Sequence, residues 1–276
     1  LNFGLDFTGG TLIEVSYPAA PEISDVRSNL SDAGMDDAVV QTFGAATEIV
    51  VRIPPRVDEA ESDAEISTVV LSALQQGVEG EIAMRRVEFV GPQVGDELTE
   101  QGILAVVYAL IGIFLYVMIR FQWRFSVGAV AALVHDILIT MGILAALQVE
   151  FDLTVIAALL AVIGYSLNDT IVLFDRIREN FPRLRKANPL EVVNTSVNET
   201  LSRTLMTSMT TLLVLIALFI FGGEIIHAFA FTLIVGVLVG TYSSIYVAST
   251  TLLELGVSKF DLLAVEKEGA TLDQRP

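Results

Sequence analysis

Long apolar stretches separated by short polar connections fill the chain from about Leu98 onward. Each is close to the ~20 residues that a membrane-spanning helix needs. The stretches are 99–119, 125–147, 153–174, 201–221 and 228–255. The pattern therefore predicts an α-helical membrane bundle of five spans over residues 99–255, followed by a short tail over 256–276.

The first 98 residues have a different periodicity. Alternating apolar and polar positions at 11–16, 39–43, 48–53 and 82–90 predict strands, whereas 21–33 and 60–76 have helical spacing. The resulting order, strand, helix, strand, strand, helix, strand, is that of a ferredoxin-like α+β sandwich. An open sheet edge could accept an extended polypeptide or a partner strand, and a domain that serves only for packing remains an equal alternative. We expect Gly9 and Gly10 to form a tight turn rather than a phosphate loop.

The basic residues indicate how the bundle is oriented. Arg120 and Arg124 lie in the first connection between spans. The second connection, and the fourth with Glu224, contain no lysine or arginine. The third connection is basic and contains Arg176, Arg178, Arg183, Arg185 and Lys186. Because basic loops stay in the cytoplasm, we expect residues 1–98 outside and the tail inside. Five spans do not fit this orientation unless a signal peptide or an earlier membrane helix precedes Leu1, and we expect a helix.

Composition excludes several kinds of chemistry. Cysteine is absent, which excludes disulfides and thiolate sites, and two histidines, His135 and His227, are too few and too far apart for a common metal motif. We therefore expect no cofactor. The first 98 residues contain 18 acidic and 5 basic side chains, so we expect no nucleic acid partner.

Asp169 and Arg203 are the two charged residues that fit their apolar surroundings least. A charged side chain within a membrane helix costs about 2.5–3.5 kcal/mol on insertion scales, so a fold that keeps one generally uses it. Helical spacing places polar residues on one face with each of them. These faces are Tyr165, Ser166 and Asp169 in the third span, together with Val162, and Arg203, Thr207, Thr210 and Thr211 in the fourth, with Ser208 beside them.

We expect Asp169 to load and release a proton, since burial favours the neutral carboxyl and a nearby cation favours the ionised one. A static ion pair with Arg203, or a helix-end carboxylate that reaches the interface, is the alternative. Asp136 is a rival site that could form part of a relay. Its neighbour His135 points about 100° away on a helix, so we expect the two not to act as one unit. We interpret Gly236 and Gly240 as a helix-packing surface.

Several motifs in the chain resemble the SecF family of the bacterial and archaeal Sec protein-export machinery, and the resemblance covers nearly the whole chain. The most specific is the long run 165–180, Tyr-Ser-Leu-Asn-Asp-Thr-Ile-Val-Leu-Phe-Asp-Arg-Ile-Arg-Glu-Asn. The others are Gly-Leu-Asp-Phe-Thr-Gly-Gly-Thr at 4–11, Val-Gly-Pro-Gln-Val-Gly at 90–95, Val-His-Asp at 134–136 and Leu-Ser-Arg-Thr at 201–204.

The resemblance implies a resistance–nodulation–division type bundle of six helices, the first of which this sequence lacks, with a ferredoxin-like extracytoplasmic domain. It implies a multi-pass protein of the inner membrane that works with SecD, separate or fused, the SecYEG channel and SecA. The implied function is to use the proton-motive force, with H⁺ or alternatively Na⁺ as coupling ion, to assist translocation of an unfolded polypeptide. It places the essential carboxylate at Asp169 and the functional arginine at Arg203, with Thr207 nearby and Asn168 in the same motif as Asp169.

Three other functions are compatible with some of these features. An intramembrane aspartyl protease would need two facing aspartates, but Asp136 and Asp169 lack the Gly-x-Gly-Asp context of that class, so we do not expect an enzyme. A non-conducting scaffold for a membrane partner and a small-molecule exporter of the same superfamily stay open.

Overall fold

The chain forms two compact units in the computed structural model, which describes residues 1–55, 63–184, 186–223 and 226–257. Of the described residues, the first unit comprises those in Leu1–Val106, Leu144–Ala157 and Phe219–Phe229, and the second comprises the others. The predicted tail from residue 258 onward, the predicted helix start at Ala60, and Arg185 and Glu224 in the predicted connections lie outside the described residues. The domain limits at 98 and 255 remain a prediction.

The elements follow the predicted order. In chain order they are β1 Asn2–Phe3, α1 Leu5–Thr8, β2 Gly10–Ser16, α2 Ile23–Asp32, β3 Val39–Phe43, β4 Ala45–Ile53, α3 Asp63–Leu74, β5 Ala83–Val90, α4 Pro92–Arg120, α5 Trp123–Ala146, β6 Glu150–Phe151, α6 Leu153–Arg183, α7 Pro189–Phe221, α8 His227–Ile245 and α9 Val247–Glu254.

The ferredoxin-like sandwich is confirmed in the first unit. Its four strands lie in the order β3-β4-β2-β5, and every neighbouring pair is antiparallel. This arrangement is a split βαβ unit, because β4 lies between β3 and β2. The strands alternate, so one face of the sheet is buried under α2 and α3. That core includes Ile13, Val15, Ile49, Val51, Leu30, Val70 and Leu74.

A second, two-stranded sheet joins the start of the chain to the connection between α5 and α6. In it β1 pairs in parallel with β6. The Arg52 side chain on β4 forms an ion pair with Glu150 and donates a hydrogen bond to the Phe3 carbonyl at 3.1 Å. Asp6 accepts a hydrogen bond from the Leu153 backbone nitrogen at 2.9 Å, at the first turn of α6. The α+β domain is therefore fixed to the beginning of α6 by side-chain contacts.

Five helical segments in the described part of the chain are long and apolar enough to cross a membrane, as predicted. They are α4, α5, α6, α7 and the pair α8–α9, which Tyr246 separates. About 20 residues span the apolar core of a bilayer, so α6 with 31 residues and α7 with 33 are longer than crossing requires.

Two helices extend beyond the apolar stretches that predict their spans. α6 continues nine residues beyond Phe174, and α7 begins twelve residues before Leu201. Arg176, Arg178 and Arg183 consequently lie on a helix rather than in a loop. The helices continue because their polar turns remain amphipathic: buried side chains there pack in one apolar cluster, among them Ile177, Phe181, Val192 and Val193.

Candidate functional site

Asp169 is buried in the second unit, on the face of α6 that the sequence predicts. Its residue exposure is 4%, and Ser166, one turn earlier on the same face, is 1% exposed. No described residue forms a hydrogen bond with the buried Asp169 Oδ2 atom. A buried carboxylate oxygen without a partner destabilises the ionised form, because neither water nor a donor compensates its charge.

Arg203 on α7 acts on this carboxyl from a distance. Arg203 is a charged neighbour of Asp169, but the two side chains do not approach within the 4.0 Å of an ion pair. Arg203 is itself exposed on the surface of the isolated chain. A closed static pair, one of the alternatives left open by the sequence, is therefore not the arrangement in this conformation.

The face of α7 that packs on α6 is next to the predicted polar face. Thr207 and Thr210 are exposed, and their hydroxyls donate to backbone carbonyls of their own helix, Thr204 and Thr207, at 2.9 Å each. The buried contact is made through Ser208, whose Oγ accepts a hydrogen bond from the Tyr165 hydroxyl at 3.3 Å and lies 2.7 Å from Thr241 Oγ1. The two predicted polar stripes therefore do not face each other directly.

Asp136 on α5 lies in the same polar interior and is fully buried. Ser166 Oγ donates a hydrogen bond to its Oδ2 at 2.5 Å, and His135 Nδ1 lies 3.1 Å from its Oδ1. The two side chains therefore touch, although the sequence analysis expects them not to act as one unit. Neighbouring side chains point about 100° apart at Cβ, but rotation about their side-chain bonds lets the outer atoms meet.

Gly236 and Gly240 bring α8 close to this site, which confirms their interpretation as a packing surface. A Cβ atom at Gly240 would lie 3.0 Å from Ser166 Cβ and 3.6 Å from Asp136 Oδ2, and one at Gly236 would lie 2.1 Å from Val162 Cγ2. Residues larger than glycine would force α8 away from α6. The small residues thus exclude other groups from around the Asp136–Ser166 pair.

Two hydroxyls at the site were missed by the sequence analysis. Thr140 on α5 and Thr170 on α6 are buried, and neither hydroxyl has a hydrogen-bond partner among the described residues. The signal was present, since Thr140 lies one turn from Asp136 and Thr170 follows Asp169. Asn168, by contrast, is exposed. In the described ranges no three histidine or carboxylate side chains lie close enough together to hold a metal ion.

Comparison with protein families decides the family of this chain. A model of the C-terminal region of the protein export membrane proteins SecD and SecF matches residues 70–258, and one of the SecD/SecF GG motif matches residues 1–17. The chain belongs to the SecD/SecF family. Its GG motif includes Gly9 and Gly10, and the C-terminal match includes every site residue described above.

Relatives and solved structures agree with this assignment. The chain is 55% identical to the protein translocase subunit SecF of Vibrio alginolyticus and 52% identical to that of Pseudomonas aeruginosa, in each case over 100% of this chain and 88% of the relative. A crystal structure of Thermus thermophilus SecDF, a translocon-associated membrane protein, matches 92% of the chain with a TM-score of 0.81 and 39% identity. A SecDF crystal structure in a super-membrane-facing form matches with a TM-score of 0.65 and 40% identity.

The chain spans about a third of the SecDF chains that it matches, 34% in both structures. The likeness confirms the predicted fold class, a resistance–nodulation–division type membrane bundle with an α+β domain. The chain is therefore a multi-pass membrane protein of the SecD/SecF family.

Proposed function

We propose that this chain is a SecF-type subunit that works with SecD to drive polypeptide export with the proton-motive force. Its further partners would be the SecYEG channel, SecA and the unfolded polypeptide in transit, and we assign no covalent catalysis to it. The observation that carries the proposal is the buried Asp169 carboxyl, whose Oδ2 lacks a partner among the described residues while the Arg203 cation acts on it without closing an ion pair.

The Asp169 carboxyl can be ionised or protonated, and the two forms interact differently with Arg203. Protonation removes the charge that interacts with Arg203, and release of the proton restores it. The membrane potential supplies about 2.3 kcal/mol per elementary charge per 100 mV, which is comparable to the cost of one intramembrane charge. Loading from outside and release inside would thus move α6 relative to α7. The contact of Asp6 with the first turn of α6, and the ion pair of Arg52 with Glu150 just before it, support transfer of that motion to the α+β domain.

Asp136 is a second carboxyl in the proposed proton pathway. Its hydrogen bond from Ser166 links α5 to the face of α6 that includes Asp169, and His135 contacts it from its own helix. Thr207, one turn from Arg203, and Asn168 complete the proposed set of residues. Because Arg203, Thr207 and Asn168 are exposed in the isolated chain, we propose that a partner subunit covers this side of the pathway.

The proposed orientation places residues 1–98 outside the cytoplasm, the bundle 99–255 in the inner membrane with lipid around it, and the tail 256–276 inside. The basic residues support it, since Arg120 and Arg124 flank the α4–α5 connection and Arg183 ends α6. The coupling ion is proposed to be H⁺, with Na⁺ as the alternative, and replacing Na⁺ by choline in the assay distinguishes the two.

Translocation into inverted membrane vesicles tests the proposal. Vesicles that contain this chain with its SecD-type partner should translocate a precursor faster when a proton-motive force is applied, and Asp169→Asn should abolish that increment while the chain remains inserted. Asp175→Asn is the matched control, because Asp175 is a partly exposed carboxylate of the same helix that pairs with Arg120 of α4. A full increment in Asp169→Asn vesicles would refute proton use at this residue and favour a non-conducting scaffold.

A further inference from the structure

The segment 176–180 belongs to the most specific motif of the chain, yet the proposed function gives it no role. In the structure it is a continuation of α6, and its side chains contact the first turns of α7. Asn180 is the centre of these contacts and is 1% exposed. A buried amide at a helix–helix contact indicates a specific arrangement, because an amide hydrogen left without an acceptor would be costly.

Both amide hydrogens of Asn180 have acceptors on α7. The Nδ2 atom donates to Ser196 Oγ at 3.0 Å and to Glu199 Oε2 at 2.8 Å. Ser196 is fully buried, and its hydroxyl donates in turn to the Val192 carbonyl at 2.8 Å. A buried network in which each donor is satisfied fixes one relative position of two helices, since a slip would leave several groups unpaired at once.

Two arginine side chains of α6 also lie near the Glu199 carboxylate. Arg176 Nε lies 3.7 Å from one carboxylate oxygen, and Arg183 lies 3.4 Å from the other. Because the Glu199 side chain is 31% exposed, each ion pair alone contributes little. Together with the Asn180 amide, however, three α6 side chains converge on one α7 carboxylate.

This cluster lies at one end of the α6–α7 contact, and the Tyr165–Ser208 hydrogen bond lies at the other. Asp169 is on α6 between Tyr165 and Asn180, eleven residues from Asn180, which is about three turns and about 16 Å along the same face. Arg203 is on α7 between Glu199 and Ser208, one turn beyond Glu199. The two contacts therefore determine the distance between Arg203 and Asp169 along the helix axes.

We infer that Asn180 and Glu199 are positioning residues that fix the register of α7 against α6 and so set the distance along the helix axes between Arg203 and Asp169. The inference rests on the proposed function for its consequence in export, but the register itself does not depend on that function. Asn180 touches neither the proposed proton carrier nor the cation. It acts through Glu199, because Glu199 and Arg203 are four residues apart on one helix and move together.

Cross-linking between introduced cysteines measures the register directly, because the chain has no native cysteine that could also react. The pair Tyr165→Cys and Ser208→Cys is introduced at the native contact and joined with a bifunctional thiol reagent in vesicles without a proton-motive force. Adding Asn180→Leu should lower the cross-linked fraction by about threefold or more, since it removes both hydrogen bonds of the Asn180 amide to α7. Asn198→Leu is the matched control, because Asn198 is exposed and hydrogen-bonds only with Asn194 of its own helix among the described residues.

An exchange of groups separates positioning from general stability. Asn180→Asp alone places two carboxylates together and should reduce cross-linking. The double variant Asn180→Asp with Glu199→Gln restores a hydrogen bond between an amide and a carboxylate, with the donor now on α7. It should recover both cross-linking and proton-driven export. Unchanged cross-linking in Asn180→Leu, or no recovery in the exchanged pair, overturns the inference. Failure of the proposed function would show differently, as normal export by Asp169→Asn vesicles while the cross-linking results remain.

Discussion

Replacing Gly236 by alanine should separate α8 from α6. An alanine Cβ at this position would lie 2.1 Å from Val162 Cγ2 and 2.8 Å from Val162 Cγ1, whereas ordinary contacts begin near 3.4 Å. Val162 is fully buried and β-branched, so in a helix it has essentially one side-chain rotamer and cannot turn aside. The helices must therefore move apart by roughly 1.3 Å, the difference between the first distance and an ordinary contact.

The energetic cost follows from comparison with an open position. A Cβ atom added at Gly164 on α6 would have no other atom within 4 Å, so Gly164→Ala should only gain helix propensity, at most about 1 kcal/mol. Gly236→Ala has the same gain but also the overpacking cost of about 1–3 kcal/mol. The difference in unfolding free energy between the two variants should therefore be about 1–3 kcal/mol, with Gly236→Ala less stable.

Unfolding of the purified chain in mixed detergent and SDS measures this difference, with fluorescence of Trp123, the single tryptophan, as the signal. Adding Val162→Ala removes both clashing methyl groups and should recover part of the loss in Gly236→Ala. Equal stability of Gly236→Ala and Gly164→Ala would refute the close approach of α8 to α6, and with it the tight packing around Asp136 and Ser166.

Two further predictions concern the first unit. Gly10→Ala should destabilise the α+β domain by more than about 3 kcal/mol, because the new Cβ would lie 2.2 Å from the Ile53 carbonyl oxygen at a φ of +114°. Gly34→Ala, at a φ of +80° with no atom nearby, should cost only about 1 kcal/mol. Equal thermal unfolding midpoints of the two variants would contradict this prediction. Burial raises the pKa of Glu150 above its ordinary 4.5, and the Arg52 guanidinium opposes this rise. The Glu150 carboxyl thus binds a proton more readily in the folded state than in the unfolded state. The resulting contribution to the free energy of unfolding is complete below pH 4.5 and is lost as pH rises through the pKa of the folded state. The native chain should accordingly gain stability over Glu150→Gln between pH 7 and pH 4, and parallel pH–stability profiles would disprove it.

The sequence was sufficient for the fold because its periodicities are unambiguous. Strict alternation in β2, with Ile13 and Val15 on one face, and uninterrupted apolar runs in the spans each predict one kind of element. The ends of α6 and α7 were not predictable in the same way, since apolar length reports where the bilayer ends rather than where the helix ends. Residues 175–183 continue the helix on an amphipathic pattern that a search for apolar runs does not detect.

The site was predictable residue by residue but not contact by contact. Asp169 and Arg203 stand out because a charge is costly among apolar neighbours, whatever the helix packing. The Asp136–Ser166 hydrogen bond depends on which faces of α5 and α6 meet, and that choice is made by small residues such as Gly240 on a third helix. The contact of α7 with α6 likewise depends on which faces meet, and it is formed by Ser208 rather than by Thr207.

Proton flux through reconstituted vesicles tests the central claim most directly. Vesicles that contain the chain with its SecD-type partner and an internal pH indicator should acidify when a potential is applied, and the flux should fall to the level of protein-free vesicles in Asp169→Asn. Flux in that variant equal to the native flux would show that protons cross without this carboxyl and would contradict the account.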